Sequence, residues 1–493
     1  MVETSKAAIE IVSPGDGTLC RLNREGEEIE LGHSIGFVAE NDEELAAIER
    51  SAERPATTEE RQSAPNATRK AVELAEEHGI ELVSIRKEGF ITAEDVAAVV
   101  AQGQASAALE DDRSRLMGVS TEGVSLPENF ALDGTVGRLD EGFLESLRSN
   151  PDSVRALSSE DRCEAYRANG ARIGKGVTLG ARMLIVAPQV VLDDGVTFGD
   201  DCLVRCDEIF AVGSLTHFGP GLEVSCRRAY IGVNGHIGRR ARIGGGGAHD
   251  PWSTFAAGDL LFLGDEAYVN PCRPVLIGRE VFLTMRSVIV THNIGHSVLE
   301  GFENRFAPVV LEDRAQVGIG TVVYAGCRIG REAIVASNSY VVSDIPAGKL
   351  AVGVPARVAG SARQPSSRER QSRLLRGMID DLRELLELGG YDVSAVTEGP
   401  APGIVIRHDG ATAFVFAVDV LAADFQPPGT SSETVVLTLE LDGDRPPGCA
   451  VLDLIGRRVH GPGGVVLDSV REFCRKRGIR LEPGPWRYSG GLI

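Results

Sequence analysis

The chain has 493 residues, 43% of them apolar and only 5% aromatic, with 58 glycines, the composition of a turn-rich soluble protein divided into several domains. A formal charge of -20 provides no basic face for a phosphate backbone or an anionic membrane surface, which argues against nucleic-acid and membrane partners. No stretch approaches the roughly 20 apolar residues of a bilayer span, and Met1 to Glu10 lack the basic flank and apolar run of a signal peptide, so a cytoplasmic location is expected. The cysteines, spread from Cys20 to Cys474, then read as reduced thiols. Cys202 and Cys206 stand four apart without a histidine cluster, so no metal site is expected.

Residues 1–45 predict a small β module: Ile9 to Val12 and Leu19 to Leu22 are strand-like and are separated by the turn Pro14-Gly15-Asp16-Gly17. Glu3-Thr4-Ser5-Lys6-Ala7 followed by Ile11-Val12-Ser13-Pro14 and Gly17 resembles the second half of a lipoyl or biotinyl carrier domain. That resemblance implies a lipoyl group on Lys6, although Ser5 stands where the family has aspartate and the family's first half would precede the hairpin. The alternative is a solvated terminal lysine.

Residues 46–64 are charged and short of large apolar side chains, as a linker is. Over 65–102, Ala67 to Ala75 predict an amphipathic helix ended by Gly79, and Thr92 is the expected N-cap of a second helix. These residues resemble a peripheral-subunit-binding domain, which implies docking of a thiamine-dependent dehydrogenase-like component, with Arg69 as a contact and a shortened loop at Lys87-Glu88-Gly89-Phe90. A second linker is expected over 103–130. A helical lead-in follows over 131–170, with a helix start at Ser159-Glu160-Asp161 and a stop at Asn169-Gly170.

Over 171–360 aliphatic residues recur every six positions: Ile173 and Leu179; Ile231, Ile237 and Ile243; Leu311, Val317, Val323, Ile329, Val335 and Val341. Glycines follow several of them, as at Gly174, Gly180, Gly232, Gly238 and Gly330. A period of six is neither helix nor strand; it predicts a coil with three flat faces whose aliphatic row points at the axis and is buried by stacking. The repeat, with Ser343 to Gly348 and Gly353 to Arg357 at its end, resembles the hexapeptide-repeat acyltransferases. The fold expected is therefore mainly β: a left-handed parallel β-helix core with small N-terminal β and α modules and a C-terminal α/β domain. The resemblance further implies a homotrimer and coenzyme A bound between subunits.

The repeat breaks at Gly245 to Pro274 and at Thr291 to Pro308, and insertions on a regular scaffold are where chemistry is expected. Acyl transfer from a thioester needs a base for the incoming hydroxyl or amine, and neutral imidazole suits pH 7. In this family a histidine after an aliphatic strand residue at the loop mouth has that role, which falls on His292 in Val290-Thr291-His292, with His296 as its competitor. His249, Asp250 and Trp252 from the first break, with Glu300 and Arg305 from the second, are candidates for binding the acceptor; Glu300 or Glu303 could orient the imidazole. The family's cofactor groove places coenzyme A against Lys349, Gly353, Ala356 and Arg357.

Leu374, Leu375, Met378, Ile379, Leu382, Leu385 and Leu386 form an apolar stripe at helical spacing over 366–390. Residues 400–493 read as a small α/β domain with a helix from Leu467 to Lys476 and no recognisable catalytic motif. The function expected is transfer of an acyl group from acyl-CoA to a hydroxyl or amine of a sugar or secondary metabolite. Two alternatives stand beside it: a lipoyl-linked acyltransferase component of a 2-oxo-acid dehydrogenase-like complex, and a non-catalytic trimeric scaffold.

Overall fold

A computed structural model describes residues 118–396, 401–427 and 431–482, and, in the first hundred, residues 2–3, 8–9, 18–21, 36–39, 67–77, 82 and 91–97. The chain divides into two compact units, Met1–Ala108 and Leu109–Ile493. In the first, Val2–Glu3 pairs antiparallel with Ala8–Ile9, and Thr18–Arg21 with Gly36–Ala39. The helix Arg69–Glu77 packs Ala71 and Ala75 on Ile91 and Val96. Thr92 starts the next helical turn, with both its amide and its hydroxyl donating to Asp95 at 2.7 Å. Arg69 is exposed and paired with Glu73 at 3.1 Å. Lys6 and the loop Lys87 to Phe90 lie outside the described residues.

The second unit is built on a parallel β-solenoid running from Arg172–Ile173 to Ala356–Ser361. Its first face stacks Gln189–Leu192, Phe210 to Val212, Ala229 to Ile231, Thr254–Ala257, Val275–Ile277 and Val309–Leu311. The second face stacks Thr197–Phe198, His217–Phe218, His236–Ile237, Phe262–Leu263, Phe282–Leu283, Gln316–Val317 and Ile334–Val335. The third stacks Leu203 to Arg205, Glu223 to Ser225, Arg242–Ile243, Tyr268–Asn270, Val288–Val290, Val322–Val323 and Tyr340–Val341. The inward residue of each hexad is buried in one continuous core, within which Phe198 stacks on Phe218 with ring centres 4.3 Å apart.

The first coil has no rung before it, so its apolar row and edge carbonyls need a cover. Three short helices provide it: Glu141–Ser149, Pro151–Arg155 and Ser159–Ala168. The last is capped by Ser158, one residue ahead of the expected start, whose hydroxyl accepts from the Asp161 amide at 3.1 Å. Buried Arg162 donates to the carbonyls of Gly180 (2.7 Å), Met183 (3.0 Å) and Leu157 (2.7 Å). The fully buried Tyr166 hydroxyl donates to the Ile185 carbonyl at 2.6 Å and accepts from the Ile185 amide at 2.9 Å.

Residues 118–130, which composition assigns to a linker, instead lie along the first face. Val119 and Phe130 are buried against Ile209, Tyr230, Leu276 and Val310, and Ser125 donates twice to Asp313, at 2.7 and 2.6 Å. Its apolar residues Val119, Val124, Leu126 and Phe130 follow neither a helical nor a strand period among serine, glycine and proline, which hides the strap from a pattern reading.

Beyond the solenoid, the helix Arg368–Leu388 packs Leu375, Ile379, Leu382 and Leu386 on the sheet of its own domain. That sheet has six strands, of which Ala411–Val418, Glu433–Thr438 and Cys449–Asp453 are parallel neighbours. The helix Val465–Lys476 joins the same core. This domain meets the second face of the solenoid: Arg480 lies 4.3 Å from the Phe282 ring centre, and Arg457 pairs with buried Glu280. Among the described residues no helix is long and apolar enough to cross a membrane, and the cysteines are buried free thiols.

The Tyr166 bonds give the first testable outcome. Tyr166→Phe leaves the Ile185 amide and carbonyl unpaired in the core, so it should cost about 1–3 kcal/mol. Thermal unfolding followed by circular dichroism should show the midpoint fall by several degrees; an unchanged midpoint would mean that the helical cover does not hold the first coil.

Candidate active site

The first break is shorter than the sequence indicates, because Thr254–Ala257, Phe262–Leu263 and Tyr268–Asn270 stack as ordinary rungs and the chain leaves the solenoid only over 245–253. Both breaks leave at one corner, where third-face strands turn toward the first face. Register places Ser225, Gly244, Asn270 and Val290 on consecutive rungs there. Gly244 to Gly247 open the first break. Gly245 and Gly247 have φ of +128° and +71°, and a β-carbon at Gly247 would lie 2.5 Å from Cys272 Sγ, so the backbone passes where no side chain fits. Buried Asn270 ties the rungs together. Its Nδ2 donates to the Gly246 carbonyl (3.2 Å), its Oδ1 accepts from the Cys272 amide (3.0 Å), and its carbonyl accepts from the Thr291 hydroxyl (2.8 Å). Thr291 Oγ1 in turn accepts from the Arg273 amide at 3.0 Å.

Thr291 is thereby fixed, and His292 follows it on the short strand His292–Asn293, paired with Arg305–Phe306. The His292 ring stacks on Phe306 with centres 5.8 Å apart and planes 15° apart. Its Nδ1 is buried and has no hydrogen-bond partner among the described residues, so packing and strand pairing orient the ring and neither Glu300 nor Glu303 does. Nε2 faces Gly246, where a β-carbon would lie 3.5 Å from it. Among the described residues the amides of Gly245, Gly246 and Gly247 donate to no acceptor.

Arg273 joins the two breaks. Its guanidinium lies 4.5 Å from the Trp252 ring centre and 4.8 Å from that of Phe306, and donates to Asp250 Oδ2 at 2.9 Å. The expected site residues Asp250 and Trp252 thus reach His292 through Arg273 and Phe306. Burial pushes the neighbouring Cys272 thiol up to about 11, which keeps it protonated and unreactive.

The other expected residues scatter. His296 stacks on Phe302 at 4.5 Å in an exposed stretch. Glu300 ends the exposed turn Val298–Glu300, and Arg305 sits opposite Asn293 with its guanidinium over Gly326. His249 has partners of its own: its Nδ1 is 2.9 Å from Asp207 Oδ2 and its Nε2 is 3.1 Å from Ser225 Oγ. Lys349 and Arg357 are exposed on the antiparallel pair Lys349–Gly353 and Ala356–Ser361. There the Gly353 amide donates to Ser339 Oγ at 3.1 Å and Ala356 is buried. Arg273, Phe306, Asn270, Asp207 and Ser225 escape the sequence reading, because each becomes a neighbour only when rungs stack.

No protein-family model matches the chain. A 56-residue segment, 11% of the chain, is 41% identical to the 2,3,4,5-tetrahydropyridine-2,6-dicarboxylate N-acetyltransferase of Staphylococcus aureus, and the chain spans 23% of the length of that relative. Among solved structures, the chain is similar to a hexapeptide-repeat acetyltransferase from Vibrio cholerae (18% identity, 47% of this chain and 100% of that one, TM-score 0.20). It is also similar to a maltose O-acetyltransferase from Clostridium difficile (19% identity, 46% and 90%, TM-score 0.21). A third is an N-acyltransferase from Bacillus cereus solved with dTDP and coenzyme A (14% identity, 42% and 91%, TM-score 0.22).

Arg273→Ala should release both breaks at once, since it removes two ring contacts worth about 0.5–2 kcal/mol each and strands Asp250. Amide hydrogen exchange should quicken by roughly tenfold or more over 245–253 and 291–308, while the third-face strands stay protected. Unchanged protection of either loop would show that it is held without Arg273.

Proposed function

We propose that the second unit is an acyltransferase that moves an acyl group from a coenzyme A thioester to a hydroxyl or amine of a small acceptor, a sugar or a secondary metabolite. The observation that carries this reading is His292 Nε2 set against a glycine run whose amides have no acceptor among the described residues, at the corner where both breaks meet. With Nδ1 shut into the protein, Nε2 is the nitrogen left to exchange a proton. It would take the proton of the acceptor as the acceptor oxygen or nitrogen attacks the thioester carbonyl. A free amide of Gly245 to Gly247 would donate to the oxyanion, and the departing thiolate would recover the proton from His292.

Trp252 and Phe306, flanking Arg273, offer an apolar wall with one cation, suited to a ring-bearing acceptor. Lys349 and Arg357 are proposed to meet the cofactor's phosphates, with Gly353 and Ala356 leaving room beside them. A homotrimer is part of the proposal. Ile294, Val298, Leu299, Phe302 and Phe306 on the second break, and Val352, Val354 and Val358 on the terminal hairpin, are large apolar side chains exposed in the single chain. Such a concentration marks a surface that another chain covers.

His292→Ala should leave the melting temperature nearly unchanged and lower turnover by roughly a hundredfold to ten-thousandfold, with KM little affected, because a base acts on the transition state. His296→Ala should have a small effect. Gly246→Ala should fold normally, since the added methyl meets His292 Nε2 and Cε1 at contact distances of 3.5 and 3.7 Å, yet should slow transfer by covering Nε2. Free-thiol release from acetyl-CoA with a panel of sugar acceptors reads all three, and full turnover in His292→Ala would remove the base from the mechanism. Light scattering that gave a monomer would remove the shared groove.

A further inference from the structure

The hydrogen bonds of His249 form a chain with a direction. Asp207 Oδ2 accepts at Nδ1 (2.9 Å), which places the ring proton there and leaves Nε2 to accept from the Ser225 hydroxyl (3.1 Å). Carboxylate, imidazole and hydroxyl in that order are the parts of an activated serine nucleophile. All three are partly exposed, so a substrate can reach the hydroxyl.

The local backbone explains why Asp207 is available. The strands Leu203–Val212 and Glu223–Ile231 pair Cys206 with Cys226 and Ile209 with Arg228, so Asp207 and Glu208 together oppose only Arg227. Such a bulge turns a side chain out of its ordinary direction. Glu208 is occupied by Arg227 and Arg228. Asp207 has no arginine partner among the described residues and is left to His249. Beside Ser225, in register one rung earlier, stands Arg205, exposed and in no ion pair among the described residues. Paired residues of parallel strands share a face, so Arg205 projects from the same face as Ser225, within reach of a ligand bound there. On the other side Gly244 follows in register, and its lack of a side chain keeps that flank open.

We propose that Ser225, His249 and Asp207 form a second catalytic centre, a serine esterase site for small acyl esters that carry a carboxylate or phosphate near the acyl group. Ser225 Oγ attacks the ester carbonyl while its proton passes to His249 Nε2. The carbonyl carbon–oxygen bond to the alcohol breaks, and the alcohol leaves with that proton. Water then attacks the acyl-serine and gives its proton to His249; the carboxylic acid departs and Ser225 regains its hydrogen. The sum is hydrolysis of an ester to an acid and an alcohol, with no change of oxidation state. Asp207 holds the imidazole tautomer and offsets its positive charge during both steps, and Arg205 binds the anionic group.

The full chain is treated with a fluorophosphonate, and separately with 4-acetoxybenzoate and phenyl acetate, and the modified peptides are read by mass spectrometry. The expected result is a phosphonyl or acetyl adduct on Ser225, absent in Ser225→Ala and formed roughly 10³–10⁴-fold more slowly in His249→Ala and Asp207→Asn. Arg205→Ala should raise KM for 4-acetoxybenzoate and leave that for phenyl acetate unchanged. No adduct on Ser225, or an adduct forming equally fast without His249 in a protein that melts normally, overturns the proposal. Adduct formation needs no coenzyme A, so the outcome is independent of whether His292 catalyses transfer.

Discussion

The rest of the second unit depends on one backbone hydrogen bond repeated at the solenoid corners. A residue with left-handed backbone turns its amide along the axis to the carbonyl one rung earlier. The Leu215 amide donates to Asp194 O, Asn234 to Ser214 O, Leu260 to Val233 O, Glu280 to Asp259 O and Arg314 to Arg279 O, each at 2.8 Å. All five donors have φ between +54° and +62°. That conformation costs a side-chain-bearing residue roughly 1–2 kcal/mol, and it persists because the alternative is an unpaired amide and carbonyl at every corner. Close stacking also excludes side chains elsewhere on the coil: a β-carbon at Gly213 would lie 2.7 Å from the Gly232 carbonyl carbon. Where the corner residues are charged, they alternate in sign, as in Arg240, Glu266 and Arg286 and again in Glu280, Arg314 and Glu332.

That constraint decides where chemistry can be built. Rungs stacked by identical corners tolerate an insertion only where the chain can leave and re-enter without breaking the ladder. The first face is closed by the strap through Val119 and Phe130, and the second face meets the C-terminal domain at Phe282 and Glu280. The corner between third and first faces remains, and both breaks use it. Asn270 and Thr291 tie this corner with side-chain bonds, buried just after the inward hexad residues Val269 and Ile289.

How much of this was legible in the sequence follows from which interactions are local. The hexads from Leu311 to Val341, the helix Arg368–Leu388 and the strands after Gly403 are periodic in the chain itself, and the structure has them where periodicity put them. The left-handed corners at Leu215 and Leu260 were not legible, since leucine has no preference for that conformation and only the neighbouring rung imposes it. The position of Thr291 and His292 at a break could be read. The approach of Gly246 to the imidazole, and the pairing of His249 with Asp207 and Ser225, could not, because they depend on rungs of unequal length. His249 and Asp207 are 42 residues apart and adjacent in space, a distance no local pattern encodes.

The loop that opens at Gly244 is the element both proposed centres share. Its start lies against His292, while its His249 reaches back to the rungs of Ser225 and Asp207. Three rungs separate Ser225 from Val290, about 14 Å at the usual strand spacing, so the two proposed centres start from different rungs of the same corner. The two proposed centres thus share one loop, whose Asp250 and Trp252 are held by the Arg273 guanidinium.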